Sequence, residues 1–291
     1  MDLLSGFYNA HELLLAEVGI NALLTLSMYV TLNCGLLTLA NVGFMAIGGY
    51  AAVLLSGNTH VPFVVALTAG SVLAAIVAIP VGLPVLRLRG IFLAIATIGF
   101  GQVVVAALLN LPITGEGQGL TNANADLSPL PAFISLAVVL FALWRVMGSR
   151  LGQAWAAIRE DEVAAAANGI DVARYRLLAF VLGALIAGFA GGLDAHLNFF
   201  IDPSEFQFTR VTQVLVFAVF GGTSSVLGPL LGAAILTALP EFIRFAQDYR
   251  DALDGLVLLL VIVFRPQGLV GRRRVGGGLL RWRRGARGAP A

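Results

Sequence analysis

The chain has 291 residues, of which 58% are hydrophobic and 12% are charged, and its formal net charge is +2. Its mean hydropathy of +0.90 lies outside the range of soluble domains and predicts a polytopic membrane protein. The single cysteine, Cys34, excludes an internal disulfide and a cysteine-based metal cluster, and the three histidines lie far apart in sequence. We therefore expect no metal site.

Apolar segments predict an all-α, polytopic membrane helical bundle with about nine transmembrane segments. Three segments are short for a crossing of ~20 residues and are candidates for half-helices or re-entrant pairs: 44–55, 211–220 and 253–264. Pro80 and Pro84 should kink the third segment near its end. The nine segments are 18–36, 44–55, 62–86, 90–110, 129–147, 177–200, 211–220, 226–239 and 253–264.

The arginines predict which ends of the segments face the cytoplasm. They are dense at Arg87 and Arg89, within the loop 148–176 and from Arg265 onward, whereas the remaining turns are mostly acidic or poor in arginine. Because cytoplasmic loops carry an excess of basic residues, this pattern places the N-terminus outside and the C-terminus in the cytoplasm.

This orientation divides the chain into three parts. Residues 1–17 form an extracytoplasmic segment, residues 18–270 form the transmembrane domain, and residues 271–291 form an Arg/Gly-rich cytoplasmic tail. The tail lacks a core-forming pattern and should be disordered. Its arginines favour contact with anionic membrane lipid, and nucleic acid is not an expected partner.

A charged island, residues 149–176, separates two long apolar blocks. Leu151, Trp155 and Ile158 recur at helical spacing, so one apolar edge of a helix can be buried. The alanines 164–167 are predicted to continue this helix until Asn168-Gly169 ends it. Such a helix between membrane spans is either a docking handle for a soluble partner or a solvated loop.

Two glycine-interrupted polar patches, residues 35–49 and 221–233, occupy matching places in the two halves and indicate a two-half pseudo-repeat. Paired breaks of this kind point to a substrate pathway near the bilayer midplane. The alternative is that the glycines simply allow close helix packing. The candidate residues of the substrate pathway are Thr38, Asn41, Thr97, Gln102, Thr223, Ser224 and Ser225.

Five stretches in this order resemble the permease subunits of bacterial branched-chain amino-acid ABC importers, and more closely the second of the two permease types in such systems. Besides the first patch, they are LRLRGIFLAIATIGFGQ (Leu86–Gln102), AIREDEVAAAANGIDVARYRLLAF (Ala157–Phe180), FGGTSSVLGPLLGA (Phe220–Ala233) and FRPQGLVG (Phe264–Gly271). The resemblance covers nearly everything from residue 18 to residue 271 and implies that residues 18–270 are a permease domain.

The resemblance implies a division of labour in the bacterial inner membrane. A homologous second permease would form a heterodimer with this chain, two ABC ATPase subunits would dock on the cytoplasmic loops, and a periplasmic binding protein would deliver the amino acid. The loop 148–176 would contain the coupling helix, in which Val163 interrupts the family's Glu-Ala-Ala pattern. Its ATPase-coupling residues would be Trp155, Ile158, Arg159, Glu160, Asp161, Glu162, Ala164, Ala165 and Gly169. The charges 159–162 would face the ATPase groove, with Trp155 or Ile158 anchoring the base.

The family also includes permeases for urea and short-chain amides, and Asn41 stands where many relatives have His, so these substrates are alternatives. A stand-alone channel or ion-coupled carrier is another, but the predicted mid-span positions hold no carboxylate that would couple transport to protons or sodium. No cofactor is expected in this chain. It has no nucleotide-binding G-x-x-x-x-G-K-[ST] motif, so ATP and magnesium would bind to partner subunits. Ser224 and Ser225 have no neighbouring His or Lys base, so we expect no catalytic residue and no enzyme activity.

Overall fold

The computed structural model describes residues 12–59, 61–121 and 130–242, except for the side chains of 58–59 and 240–242. The helices are α1 (Glu12–Asn33), α2 (Asn41–Thr59), α3 (Phe63–Val85), α4 (Ile91–Asn110), α5 (Leu130–Met147), α6 (Arg150–Glu160), α7 (Glu162–Ala167), α8 (Val172–Leu197), α9 (Phe208–Gly221) and α10 (Leu227–Phe242). The all-α bundle is thereby confirmed. Two-residue strands, β1 (Leu120–Thr121) and β2 (Phe200–Ile201), pair antiparallel.

Five of the described helices, α1, α3, α4, α5 and α8, are long and apolar enough to cross a membrane, and α2, α9 and α10 are shorter apolar helices. Each of the first eight predicted segments corresponds to one of these helices. Segment 44–55 is longer than predicted, because α2 extends over 19 residues. The ninth segment, 253–264, the tail 271–291 and residues 1–11 lie outside the described residues. The number of crossings and their sidedness stay predictions.

Helix α8 lies at the centre of the bundle and packs most extensively against α1, α2 and α3. Glycines bring these backbones together. A Cβ placed on Gly48 of α2 would overlap the backbone of Gly188 in α8, and one placed on Gly70 of α3 would lie 2.5 Å from the Gly48 carbonyl oxygen. Such close approach maximises van der Waals contact, which drives helix association where lipid removes the hydrophobic term.

Helix α2 begins inside the bundle rather than at its end. Its first residue, Asn41, donates a hydrogen bond to Ser27 (2.8 Å) and approaches Gly183. Ser27 lies six residues before the end of α1, and Gly183 lies eleven residues after the start of α8. At 1.5 Å per residue, α2 therefore starts roughly 9–16 Å inside those helix ends. The non-helical residues 36–40 cover that distance; Leu36, Thr38 and Ala40 are buried, whereas Leu37 is 42% exposed.

The second patch forms the turn of a helical hairpin made by α9 and α10. A Cβ on Gly221 or on Gly228 would overlap backbone of the opposite arm, so these glycines permit the tight turn. Helix α1 packs against α10 as well as α8, and Asn21 donates a hydrogen bond to Thr237 (3.1 Å). In α3, Pro80 and Pro84 both lie within a continuous helix.

Candidate functional site

The charged island folds as two short helices separated by Asp161, not as the single helix predicted from its alanine run. We call α6 and α7, with Asp161 between them, the elbow. Asp161 has extended backbone angles (φ −155°, ψ 109°), and its Oδ1 accepts from the N–H groups of Val163 (2.8 Å) and Ala164 (3.0 Å). Asp161 therefore caps α7, which explains the break, because a side chain that accepts from these amides competes with helix continuation. The predicted stop is confirmed: Gly169 has φ +82°.

The elbow is anchored to the bundle by its apolar edge. Trp155 is fully buried and its Nε1 donates to the Tyr175 carbonyl oxygen (2.9 Å) at the start of α8, while Ile158 and Ala165 are also buried. The apolar spacing of the island had predicted this buried edge. Because Trp155 satisfies its only donor there, the base of the elbow is held to α8 by both packing and a hydrogen bond.

Glu162 ties the elbow to two other arginines of the chain. Arg176 of α8 donates to both carboxylate oxygens (3.0 and 2.8 Å), and Arg89, which precedes α4, approaches the same carboxylate (3.2 Å). The Arg176 side chain is only 13% exposed, so this bidentate pair is largely shielded from water. Glu162 thus joins the start of α7 to α8 and to the turn before α4.

Arg159 reaches from the elbow to the second glycine patch. Its Nη2 donates to Thr223 Oγ1 (3.0 Å) and its Nη1 lies 3.3 Å from the Thr223 carbonyl oxygen and 3.4 Å from Asn33 Oδ1. Beneath it, Gly35 has φ +76°, and a Cβ there would lie 3.3 Å from the Arg159 Cα. The elbow, the end of α1 and the turn of the α9–α10 hairpin therefore meet at one guanidinium group.

The outer face of the elbow has no such ties within the described part of the chain. Glu160, Asp161, Ala164 and Gly169 are exposed, and Val163 is 75% exposed. Of the four consecutive charges, Arg159 and Glu162 contact other elements of this chain and Asp161 caps α7, whereas the Glu160 side chain is exposed without a hydrogen bond or ion pair to the described residues. An exposed apolar side chain, Val163, bordered by charged residues and held on an anchored base, leaves this face accessible to a soluble partner.

The candidate pathway residues divide into three places. Thr38, Asn41 and Thr97 come together in the buried first break, where Leu39 N–H donates to Thr97 Oγ1 (3.0 Å) and Thr38 Oγ1 lies 3.4 Å from Asn41 Oδ1. Gln102 is exposed on α4. Thr223, Ser224 and Ser225 lie in the hairpin turn beside Arg159. Their role in substrate passage stays a prediction.

A cavity of about 340 Å³ lies at the opposite end of the bundle from the elbow. We call it the outer cavity. It is bounded by α1, α2, α8, α9 and the 3₁₀ turn Pro203–Phe206, and it lies beside Asn21 in the middle of α1. Its charged lining residues are Glu17, Asp194, Glu205 and Arg210. None of the seven candidate pathway residues lines it. This site is not recognisable in the sequence, because its charged groups come from separate elements, each near the end of an apolar segment.

Partial burial of the Glu205 carboxyl and the nearby Asp194 raise the pKa of Glu205 to about 7, an increase that Arg210 opposes and Asp202 reinforces. Among the described residues, no group of three or more His, Cys, Asp or Glu side chains is arranged to hold a metal ion.

Comparison with known proteins identifies the family. The family model described as "Branched-chain amino acid transport system / permease component" matches residues 12–264. The chain is 33% identical to the high-affinity branched-chain amino acid transport system permease protein LivM of Escherichia coli K12, over 87% of this chain and 66% of that protein. It is 31% identical to the permease protein LivH of Salmonella typhimurium, over 57% of this chain and 56% of that protein.

The chain thus spans slightly less than two thirds of the length of LivM. No solved structure matches it. A model match that covers most of the chain, together with apolar helices of membrane-spanning length, shows that this chain belongs to the family of permease components of branched-chain amino-acid transport systems.

Proposed function

We propose that this chain is a permease subunit of an ABC importer that moves branched-chain amino acids into the cytoplasm of a bacterium. The observation that carries the proposal is the elbow: an element anchored to the bundle, whose outer face is exposed and whose inner face contacts the hairpin turn. In this proposal ATP is hydrolysed by two ABC ATPase subunits that grip the elbow, and the chain itself has no catalytic role.

The remaining partners follow from the same proposal. A homologous second permease pairs with this chain in the inner membrane, and a periplasmic binding protein delivers the substrate from outside. The exposed Gln102 of α4 is a polar group on an otherwise apolar helix face, where Val103 is 66% exposed. A polar side chain at this depth favours contact with protein over lipid, so α4 is our candidate for the face that meets the second permease.

The test is uptake by the reconstituted assembly. The chain is co-purified with its neighbouring permease and ATPase subunits, placed in vesicles with the binding protein, and supplied with labelled leucine, valine or urea. We expect leucine and valine to accumulate only with ATP and both ATPases. If only urea accumulates, urea rather than a branched-chain amino acid is the substrate. If uptake persists without the ATPases, the chain is a channel or carrier rather than an ABC permease.

Charge reversal on the exposed face of the elbow tests the docking surface. We expect Glu160→Lys to lower uptake and substrate-stimulated ATP hydrolysis by about 5-fold or more while the protein stays in the membrane, because Glu160 faces away from the bundle. Glu116→Lys makes the same charge change at the outer end and is the matched control. Normal substrate-stimulated ATP hydrolysis in Glu160→Lys would count against the elbow as the docking site.

A further inference from the structure

The outer cavity presents both signs of charge to one small space. Asp194 comes from α8, Glu205 comes from the 3₁₀ turn and Arg210 comes from the first turn of α9. Within the described part of the chain, the Arg210 guanidinium forms no ion pair with a carboxylate. The guanidinium therefore keeps its donors available for an anionic group of a ligand, beside carboxylates that can accept from a cationic one.

Polar and apolar groups complete the wall. The amide side chains of Asn21 and Gln213 line the cavity from α1 and α9, and Ile20, Met45 and Phe206 supply its apolar part. The volume of about 340 Å³ suits a small molecule, because ligand pockets range over ~300–1,000 Å³. A lining with separated charges and an apolar wall matches a ligand that carries an ammonium, a carboxylate and a short hydrocarbon group.

A zwitterion entering a membrane protein loses the water around both of its charges, and that loss is unfavourable unless each charge meets an opposite one. A site with one sign of charge would satisfy only one end of an amino acid. The outer cavity offers both, at the end of the bundle where the binding protein would release its ligand.

We propose that the outer cavity is a transient amino-acid site in which Arg210 binds the α-carboxylate and Asp194, together with Glu205, binds the α-ammonium. This inference rests on the proposed function and deepens it, because it names the residues that receive the substrate after delivery.

The first test uses the unaltered assembly and analogues of leucine that lack one charge. Binding of labelled leucine to the purified permease pair, without binding protein, is competed with leucinamide, which lacks the carboxylate, and with 4-methylpentanoate, which lacks the ammonium. We expect each analogue to compete at least ~10-fold more weakly than leucine, since each leaves a charged lining group unpaired. Equal competition by all three compounds would overturn the proposal.

The second test assigns the two ends. In Arg210→Gln, the affinity of leucinamide relative to that of leucine should rise by about 10-fold, while the relative affinity of 4-methylpentanoate stays the same. In Asp194→Asn, the relative affinity of 4-methylpentanoate should rise instead, and that of leucinamide should stay the same. Glu116→Gln, an exposed outer carboxylate that does not line the cavity, is the matched control. Variants that keep the selectivity of the control would also overturn the proposal.

Failure of this site and failure of the proposed function give different results. If the assembly takes up leucine with ATP but the cavity variants retain the control's uptake and selectivity, the site is wrong and the function stands. If the unaltered assembly takes up no branched-chain amino acid, both fall.

The pH dependence of leucine binding supplies an independent measurement. A carboxyl with a pKa of about 7 is about 10% ionised at pH 6 and about 90% ionised at pH 8. Because the ionised form attracts the ammonium, leucine should bind several-fold more tightly at pH 8. Other charged groups around the cavity are Glu17, Asp194, Asp202 and Arg210. Glu205→Gln should flatten the profile, and an unchanged profile in that variant would remove Glu205 from the site.

Discussion

Arg159 is the residue at which two distant parts of the sequence meet. Its guanidinium hydrogen-bonds to Thr223 in the hairpin turn and approaches Asn33 at the end of α1. Arginine suits this position because its planar group presents several donors in fixed directions. A displacement of the elbow should therefore shift both the end of α1 and the hairpin turn. We expect Arg159 to act as a positioning residue that links ATP hydrolysis to transport.

Removing this contact should reduce the number of amino acids transported per ATP hydrolysed. We expect Arg159→Ala and Thr223→Val to lower that ratio by about 5-fold or more while ATP hydrolysis continues, because coupling free energies are typically about 1–3 kcal/mol. Thr223→Val keeps the side-chain shape and removes only the hydroxyl acceptor. Arg150→Ala, an exposed arginine on the same helix, is the control. An unchanged ratio in both variants would refute the positioning role.

Residue-level features were predictable where a single side chain has a strong local preference. The burial of Trp155 and the left-handed Gly169 followed from helical spacing and from the conformational freedom of glycine. The break at Asp161 was not predicted, since a capping aspartate in a run of good helix formers is recognisable only when the chain is seen to turn there. The partners of Arg159 and Glu162 were hidden for a different reason: they lie far away in sequence.

At the scale of elements, glycines decide which helices can approach. Gly48 and Gly57 both lie in α2, but a Cβ on Gly48 would overlap the backbone of α8, whereas a Cβ on Gly57 would meet nothing within 4 Å. The two positions thus differ in packing while sharing one helix. This makes them a direct test of whether close backbone contact holds the centre of the bundle together.

We expect Gly48→Ala to destabilise the protein by about 1–3 kcal/mol, the usual cost of overpacking. Gly57→Ala should be neutral or stabilise it by about 0.5–1 kcal/mol, because alanine loses less conformational freedom than glycine in a helix. Thermal unfolding in detergent, followed by the loss of soluble protein, measures the difference. Equal melting temperatures for the two variants would show that α2 and α8 can move apart at Gly48 without loss of stability.

Element boundaries were largely predictable because apolar runs end where polar or proline residues begin. Segments 62–86, 90–110 and 129–147 agree with α3, α4 and α5 to within one residue. The start of α2 was less clear, since residues 36–40 cross the bundle interior without a helix, and their depth depends on contacts with α1 and α8. The sequence indicated a break in this patch but could not show that its polar side chains, Thr38 and Asn41, are buried.

At the scale of the whole molecule, the helical bundle and its family were predictable from composition and motifs, but the outer cavity was not. Its lining combines α1, α2, α8, α9 and a turn, which no local pattern brings together. Taken singly, these charged residues give no signal in the sequence, since each lies near a helix end or in a turn. Only the convergence of the helices makes them a site.

The glycine contacts described above form two groups, which we call bodies; we call the boundary between them, which α1 bridges, the seam. One body consists of α2, α3 and α8, whose backbones interlock at Gly48, Gly70 and Gly188, and the other is the hairpin, interlocked at Gly221 and Gly228. The outer cavity opens on the seam, with Asp194 on one body and Arg210 on the other. If each body moves as a unit, a tilt of the hairpin that narrows the outer end should widen the inner end, where Arg159 contacts the hairpin turn.

Distances between pairs of spin labels would reveal whether the two ends open and close in opposite senses. Once Cys34, the sole native cysteine, is replaced, one pair of labels at Asn198 and Thr209 reports the outer end and another at Ala173 and Ser224 reports the inner end. We expect the two distances to change in opposite senses when nucleotide is trapped on the ATPases. If both distances increase or both decrease, the two bodies separate or approach along the whole seam and do not tilt. Opposite changes would mean that the close glycine contacts keep each body intact while it tilts, so that the two ends of the bundle open in turn.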